Sequence, residues 1–274
     1  MTLIALPGPP DKSMLPVFVI NLDRDVDRMA SVRAQVPEAV RVPAVDGRAM
    51  SDDEVRANTT PACRLLCSRS MIGCYLSHAK VWALVARSAS PQRAERALVL
   101  EDDVLLDPDF RAKAAAAARR WPDADLIHLG CTDMCAALNA LSGNLFVYAS
   151  AYLISRAGAD RLLRERGRAN YHADLSMALA GLEVRVLSPP VALQDTRRFP
   201  SGQFEGAGAL DRLTNTVMFQ VGGCQIVTLK MMLLAALLAL AARPTGGAAR
   251  GVACAAAAVL LLMTLMSAFT SSRP

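Results

Sequence analysis

The sequence predicts an α/β protein with a mostly parallel sheet, and two observations support this prediction. Short runs rich in β-branched and aromatic residues alternate along the chain with longer segments of helical spacing. The runs at 15–22 and 97–100 are apolar almost throughout, which is typical of strands buried on both faces of a parallel sheet. Such alternation places helices against the faces of a single sheet.

The first half of the chain contains the clearest helix signals. A polar segment with helical spacing covers 25–36, directly after the first strand. Apolar residues recur along 74–87 at the spacing of an amphipathic helix, and this helix precedes the second strand. Asp107 and Pro108 predict a further helix start, because Asp caps helix N-termini and Pro fits the first turn. That helix is Ala-rich and continues to about residue 120.

The second half repeats the alternation and completes the predicted sheet. A strand is predicted at 125–129, and 145–154 is interpreted as one or two strands. Ser155 is a candidate cap for a helix that extends to 166. A short helix at 174–180 and a strand at 183–187 follow. We therefore expect one folded domain over 15–199, after an irregular tail at 1–14.

The region after residue 199 differs in composition from the predicted domain. Residues 200–223 are Gly-rich and polar, which favours a linker. The 22 residues between Arg250 and Arg273 carry no charge, and a helix over 252–269 would span about 27 Å, close to a bilayer core. We expect 224–270 to form a membrane-associated apolar helical hairpin or a single transmembrane helix. Core helices of the folded domain are the alternative interpretation.

Charge and cysteine usage exclude some classes of partner and site. The net charge of +5 is spread over scattered Arg residues without a basic stripe, so no nucleic-acid partner is expected. The seven cysteines lack His partners at zinc-finger spacing, and we expect buried free thiols. The N-terminus has no pattern of a signal peptide, so the folded domain is expected to be cytoplasmic, at a membrane.

The acidic triplet Glu101-Asp102-Asp103 is the main candidate for a functional centre. It follows the second buried strand directly, and open α/β sheets bind ligands at the carboxyl ends of their strands. Carboxylate oxygens suit a hard cation such as Mn²⁺ or Mg²⁺, which can stabilise a departing diphosphate. Acidic triplets also occur on solvated loops, so the triplet alone leaves a purely structural role open.

Several motifs in order resemble glycosyltransferase family 25, which includes bacterial lipooligosaccharide and animal procollagen galactosyltransferases. They are Val19-Ile-Asn-Leu-Asp-Arg-Asp-Val-Asp-Arg28, Ile72-Gly-Cys-Tyr-Leu-Ser-His78, Val99-Leu-Glu-Asp-Asp-Val104, Asp125-Leu-Ile-His-Leu-Gly130 and Ala151-Tyr-Leu-Ile-Ser-Arg-Ala-Gly-Ala159, followed by Asp174 and Pro190-Val-Ala-Leu-Gln194. The resemblance covers roughly 15–195 and leaves the apolar tail unexplained. It implies a GT-A type, Rossmann-like fold, a nucleotide-sugar donor, usually Mn²⁺, and transfer with inversion.

The resemblance also implies roles for individual residues. Glu101 and Asp103 would hold the metal, Asp102 would contact the donor sugar or ribose, and Asp174 would act as the catalytic base. Donor-binding positions would be Asn21, Asp23 and Arg28 near the nucleotide, with Ser77 and His78 facing the donor pocket from their helix.

Structural roles compete with several of these assignments. His78 can be a hydrogen-bonded structural histidine, Arg28 a solvated helix residue, and Asp174 the cap of its helix. His172 is a possible third metal ligand, although a surface histidine is the simpler interpretation. Met71 stands where the family often has an acidic residue, and 130–145 is short and unusual, which leaves the acceptor undefined.

The sequence as a whole predicts a metal-dependent hexosyltransferase, with galactose from UDP-galactose as the expected donor sugar. The expected acceptor is a glycan or glycolipid, as in lipopolysaccharide biosynthesis, held near the protein by the apolar tail. Two alternatives stay open. One is a catalytically inactive, membrane-tethered module that binds a nucleotide or glycan, and the other is a metal-dependent phosphate-ester hydrolase.

Overall fold

The computed structural model describes residues 15–87, 95–130, 149–165, 167–170, 173–178, 180–195, 197–199, 217–221 and 224–228. The chain divides into two units, Met1–Glu205 and Gly206–Pro274. The described strands are β1 (Val17–Asn21), β2 (Val40–Pro43), β3 (Arg96–Glu101), β4 (Val104–Leu106), β5 (Leu126–His128), β6 (Ala151–Ser155), β7 (Val184–Val186), β8 (Ala192–Gln194), β9 (Val217–Val221) and β10 (Cys224–Thr228). The helices are α1 (Val26–Gln35), α2 (Asp52–Asn58), α3 (Pro61–Leu66), α4 (Arg69–Ala86), α5 (Phe110–Arg120), α6 (Arg156–Glu165) and α7 (Ala173–Ala178), with a 3₁₀ turn at Gly47–Ala49.

A six-stranded sheet forms the centre of the first unit, in the order β2-β1-β3-β6-β5-β7. Neighbouring pairs are parallel except where β6 lies antiparallel between β3 and β5. The prediction of a mixed α/β protein with a mostly parallel sheet is therefore confirmed. The GT-A assignment implied by the resemblance stays a prediction.

Helices cover both faces of this sheet because its strands are apolar on both sides. Phe18, Val99 and Tyr152 point to one face and share a buried cluster with residues of α4 and α6. Val19 and Leu100 belong to a second cluster, on the other face, with residues of α1 and α5. Successive side chains of a strand alternate between faces, so the continuous apolar runs in the sequence reflect this double burial.

The start of α6 agrees with its predicted cap. Ser155 Oγ accepts a hydrogen bond from the backbone N–H of Gly158 at 2.9 Å, and the helix begins at Arg156. The predicted start at Asp107-Pro108 was too early, because α5 begins at Phe110. Asp107 instead accepts from the N–H of Asp109 at 2.8 Å and stabilises the turn before the helix.

The second unit contains a hairpin where the sequence predicted a linker and the beginning of an apolar helix. Strands β9 and β10 pair antiparallel with Val221 opposite Cys224. β-Branched residues on either side of the Gly222-Gly223 dipeptide are a hairpin signal that the linker interpretation overlooked. The described residues include no helix long and apolar enough to cross a membrane. The predicted membrane segment lies, apart from 224–228, outside the described residues.

One cysteine pair differs from the expectation of free thiols. Cys63 and Cys67 are joined by a disulfide, which their spacing of four residues permits because positions i and i+4 of a helix share a face. Cys74 is a free thiol.

Candidate active site

The candidate site lies at the carboxyl ends of the adjacent parallel strands β1 and β3. Ile20 pairs with Glu101 in the register of these strands, so Asn21 and the acidic triplet emerge at the same edge of the sheet. A cavity of about 240 Å³ opens there, between the triplet, the 44–48 loop and α4. This is the edge where open α/β sheets bind ligands, as the sequence predicted.

Asn21 joins three strands at the floor of this cavity. Its Nδ2 donates to Asp102 Oδ2 at 2.7 Å and to the carbonyl of Asp25 at 2.9 Å. Its Oδ1 accepts from Arg41 Nε of β2, also at 2.7 Å. Asn21 is only 2% exposed, so these bonds fix the orientation of Asp102. Arg41 was not predicted, and no sequence motif marks it.

Arg28 lies against the triplet from α1. Its Nη1 is 3.1 Å from Asp102 Oδ1 and 3.3 Å from Asp103 Oδ2. The guanidinium also stacks over the Phe199 ring, 5.4 Å from the ring centroid. The resemblance implied a donor-binding position for Arg28 near the nucleotide, and in this structure the guanidinium faces two of the three carboxylates.

Asp103 is buried and holds an oxygen without a partner. Among the described residues, Asp103 Oδ1 has no hydrogen-bond partner, whereas Oδ2 faces Arg28. Burial, followed by the negative charge of Glu101, raises the pKa of Asp103 to about 7. Burial also raises the pKa of Asp102, against the hydrogen bond from Asn21. The triplet is therefore a set of carboxyls in which close negative charges are only partly compensated.

Glu101 faces a different set of side chains from its two neighbours. Its Oε1 lies 3.2 Å from His78 Nε2 and 3.9 Å from Cys74 Sγ, both on α4. Its Oε2 accepts from Gln194 Nε2 at 3.4 Å. Gln194 reaches the triplet because β8 pairs with β4 and sets Gln194 opposite Val104. The sequence assigned no role to Gln194.

His78 is held by a buried chain of hydrogen bonds. Its Nδ1 lies 3.0 Å from the hydroxyl of Tyr152, and Trp82 Nε1 donates to the same hydroxyl at 3.0 Å. All three side chains are fully buried. These hydrogen bonds fix the imidazole ring, and its other nitrogen faces Glu101 in the cavity. His78 is therefore a hydrogen-bonded structural histidine, and its donor-binding role stays a prediction.

Ser77 and two glycines build the wall of the cavity opposite the triplet. Ser77 Oγ donates to the carbonyl of Gly73 at 2.6 Å and accepts from the N–H of Val45 at 2.8 Å. A Cβ on Gly73 would lie 2.5 Å from the nitrogen of Gly47, and one on Gly47 would lie 1.7 Å from the carbonyl oxygen of Arg69. Both positions therefore require glycine, because the two backbones are in direct contact.

Asp23 and Asp174 lie outside the lining of the cavity. Asp23 is exposed and pairs with Arg41, whose hydrogen bond and charge lower the pKa of Asp23. Asp174 lies in the first turn of α7 and accepts from the N–H of Ala149 at 3.1 Å. Burial, followed by the charge of Glu101, raises the pKa of Asp174 to about 7. His172, the other candidate ligand, lies outside the described residues.

The fold and this cavity define an α/β protein with a candidate ligand site at the carboxyl edge of its sheet, and part of the chain is similar to proteins of a known family. Residues 14–136 match the model of glycosyltransferase family 25, described as an LPS biosynthesis protein. The resemblance predicted from the motifs is confirmed: this part of the chain is similar to glycosyltransferase family 25.

Curated relatives match a longer part of the chain than the family model does. A glycosyltransferase 25 family member of Anopheles gambiae is 29% identical over 182 residues, covering 58% of this chain and 30% of the relative. Procollagen galactosyltransferase 2 of Mus musculus is 28% identical over 184 residues, covering 58% and 29%. The chain thus spans less than a third of the length of these relatives.

Solved structures give a more distant likeness. The galactosyltransferase LgtC, in complex with donor and acceptor sugar analogues, aligns with 63% of this chain and 73% of its own, at 10% identity and a TM-score of 0.35. An active-site mutant of LgtC aligns at 13% identity with the same TM-score.

Proposed function

We propose that this chain transfers a hexose, galactose in the first instance, from a UDP-sugar to a glycan or glycolipid acceptor with inversion, using Mn²⁺ or Mg²⁺. The observation that carries the proposal is Asp103 Oδ1, a buried carboxylate oxygen without a partner among the described residues, in a cavity at the strand edge. The family match and the relative named procollagen galactosyltransferase 2 support galactosyl transfer.

The residues present fit a hard cation. Asp103 Oδ1 and the Glu101 carboxylate supply oxygen donors of the type that Mn²⁺ and Mg²⁺ prefer. Burial, and after it repulsion from the Glu101 carboxylate, raises the pKa of Asp103, and a bound cation would relieve that repulsion. When bound, such a cation neutralises the diphosphate that leaves the donor sugar.

The chain's own groups orient this arrangement. Arg28 contacts Asp102 and Asp103 and leaves Asp103 Oδ1 unpaired, so the guanidinium compensates part of the charge without occupying that oxygen. Asn21 fixes Asp102, which is our candidate for contact with the donor sugar or ribose. His78 and Gln194 hold the two oxygens of Glu101. Fixed donors of this kind favour catalysis because no reorganisation is needed during the reaction.

Asp174 is our candidate for the base that removes the acceptor proton. Its pKa of about 7 matches the need of a general base at neutral pH. The dependence of that pKa on Glu101 and His78 indicates that Asp174 lies within electrostatic reach of the cavity.

The acceptor and the cellular location belong to the same proposal. The family description as an LPS biosynthesis protein supports a glycolipid acceptor. The uncharged run at 252–269 supports a membrane association, which would raise the local concentration of such an acceptor. A catalytic domain on the cytoplasmic side stays part of the proposal.

Turnover of a panel of nucleotide-sugars by the purified chain with Mn²⁺ tests the proposal, with nucleoside diphosphate release as the readout. We expect UDP release from UDP-galactose, its loss in Asp103→Asn, and its retention in Asp123→Asn, a matched change at an exposed aspartate. Absence of release from every donor would favour the inactive binding module. Release of inorganic phosphate from simple esters would favour the hydrolase.

A further inference from the structure

A second cluster of possible metal ligands contains Glu101 together with Cys74 and His78. It offers sulfur and nitrogen donors, whereas the acidic triplet offers only carboxylate oxygens. Cys74 and His78 are one turn apart on α4, so both side chains face the end of β3. Their Sγ and Nε2 lie 3.9 Å and 3.2 Å from Glu101 Oε1, and the three ligand atoms all lie within 4.8 Å of one another.

The spacing of these atoms is close to that of a tetrahedral zinc site. With bonds of about 2.3 Å to sulfur and about 2.0 Å to nitrogen and oxygen, neighbouring ligand atoms are separated by about 3.3–3.6 Å. The two distances to Glu101 Oε1 are already close to this range, and the separation of Cys74 Sγ from His78 Nε2, at most 4.8 Å, can shorten by side-chain rotation. Three protein ligands leave a fourth position open towards the cavity.

The surroundings of His78 match those of a metal-binding histidine. Metal-bound imidazoles donate their second N–H to a fixed partner, which sets the tautomer and the ring orientation. The Tyr152 hydroxyl lies 3.0 Å from Nδ1, and Trp82 donates to it from another side. A hydroxyl oxygen has two lone pairs, so it can accept from both rings while Nε2 remains available for a metal.

The donor set also discriminates between metals. A thiolate and an imidazole favour Zn²⁺ over Mn²⁺ or Mg²⁺, which prefer oxygen ligands. Asp103 Oδ1 is a second observation at the same site, because this buried oxygen without a described partner belongs to the carboxylate two residues from Glu101 and lines the same cavity. Glu101 is thus the one side chain that the zinc site and the Mn²⁺ or Mg²⁺ site would share.

We propose that Cys74, His78 and Glu101 bind Zn²⁺, and that this ion competes with the hard cation because both require Glu101. On binding, the Cys74 thiol releases its proton to solvent, and the thiolate sulfur, His78 Nε2 and Glu101 Oε1 coordinate the ion. The binding itself is independent of the proposed transfer reaction. The competition rests on the proposed function.

Cobalt is the probe that tests binding directly, because a Co²⁺–thiolate bond has an intense charge-transfer absorption. The full chain titrated with Co²⁺ is expected to gain this band with one ion per chain. Cys74→Ser is expected to lose it, whereas Ser70→Ala, one turn earlier on α4, is expected to keep it. An unchanged band in Cys74→Ser would overturn the proposal, because the signal would then come from another cysteine.

Two carboxylate variants separate this proposal from the transfer reaction. Asp103→Asn is expected to keep the cobalt band even though it loses the hard-cation site. Glu101→Gln is expected to weaken Zn²⁺ binding by at least about 10-fold, the loss seen when even indirect support of a metal is removed. Equal Zn²⁺ affinity of Glu101→Gln and the wild type, measured by calorimetry, would contradict the assigned ligand set.

Inhibition tests the competition once a donor is found. Zn²⁺ is expected to inhibit transfer, and rising Mn²⁺ is expected to relieve the inhibition. Inhibition is expected to disappear in Cys74→Ser when each variant is compared with its own rate without zinc. Equal inhibition of Cys74→Ser and the wild type would overturn the competition, while the cobalt result would still decide whether the site exists.

Discussion

Asn21 and Asp102 are 81 residues apart in the chain, yet Asn21 Nδ2 donates to Asp102 Oδ2 at 2.7 Å. The bond forms because β1 and β3 are parallel neighbours whose carboxyl ends meet at the same edge. The bond links the motif at 19–28 to the acidic triplet. It also makes the orientation of Asp102 depend on a residue from another strand.

Replacement of Asn21 by Ala removes this link. We expect the free energy of unfolding to fall by about 1–3 kcal/mol, because Asp102 and Arg41 each lose a hydrogen-bond partner at a buried position. Denaturant unfolding measures the change. Asn58→Ala, which removes a bond from an asparagine amide to a carbonyl near the surface, is the control with a smaller expected loss. A smaller loss in Asn21→Ala than in this control would contradict the assigned role.

Gly73→Ala tests the contact between α4 and the 3₁₀ turn. Alanine normally stabilises a helix relative to glycine by up to about 1 kcal/mol. Here the added Cβ would lie 2.5 Å from the nitrogen of Gly47 and 2.6 Å from the carbonyl oxygen of Val45, so we expect a destabilisation of about 1–3 kcal/mol.

Thermal or denaturant unfolding shows whether Gly73→Ala raises or lowers the free energy of unfolding. Ser70→Ala on the same helix is expected to stay within about 0.5 kcal/mol of the wild type. A Gly73→Ala variant as stable as the wild type would show that the backbone contact is not required.

The pH dependence of transfer tests Asp174 as the base. A base acts in its ionised form, so below its pKa of about 7 we expect kcat/KM to rise about tenfold per pH unit and to level off above it. Asp174→Asn is expected to lower kcat/KM by about 10²–10⁴-fold and to abolish this rise of kcat/KM with pH. The same rise in Asp174→Asn would assign the proton transfer to another group.

The same raised pKa predicts a pH dependence of stability. Between about pH 4 and pH 7 the folded chain holds a proton on Asp174 that the unfolded chain releases, so the free energy of unfolding falls as pH rises through this window. Asp174→Asn cannot titrate, and its stability is expected to fall less. Equal pH slopes of wild type and Asp174→Asn in denaturant unfolding would contradict the raised pKa.

The prediction succeeded for the edge of the sheet because local signals there are strong. The apolar runs that became β1 and β3 end at Asn21 and Glu101, and a parallel arrangement is enough to bring the two ends together. Ser77 and His78 of α4 both line the cavity, and their donor-binding role stays a prediction. The helix begins at Arg69, five residues before the predicted start.

Long-range partners were not predictable from the sequence. Arg41 reaches Asn21 from β2, a short strand without a distinctive pattern, and Gln194 reaches Glu101 only through the pairing of β4 with β8. The hydrogen bond between Tyr152 and His78 depends on how β6 inserts beside β3. Each of these contacts is a property of the register between strands far apart in the chain.

Binding of UDP with and without Mn²⁺ tests the central claim most directly, since the claim is that Glu101 and Asp103 hold a cation for the donor diphosphate. Calorimetry on the wild type is expected to give tight UDP binding with Mn²⁺ and much weaker binding after chelation. Asp103→Asn is expected to bind UDP weakly under both conditions. UDP affinity that is unaffected by chelation, or that persists with Mn²⁺ in Asp103→Asn, would contradict the account.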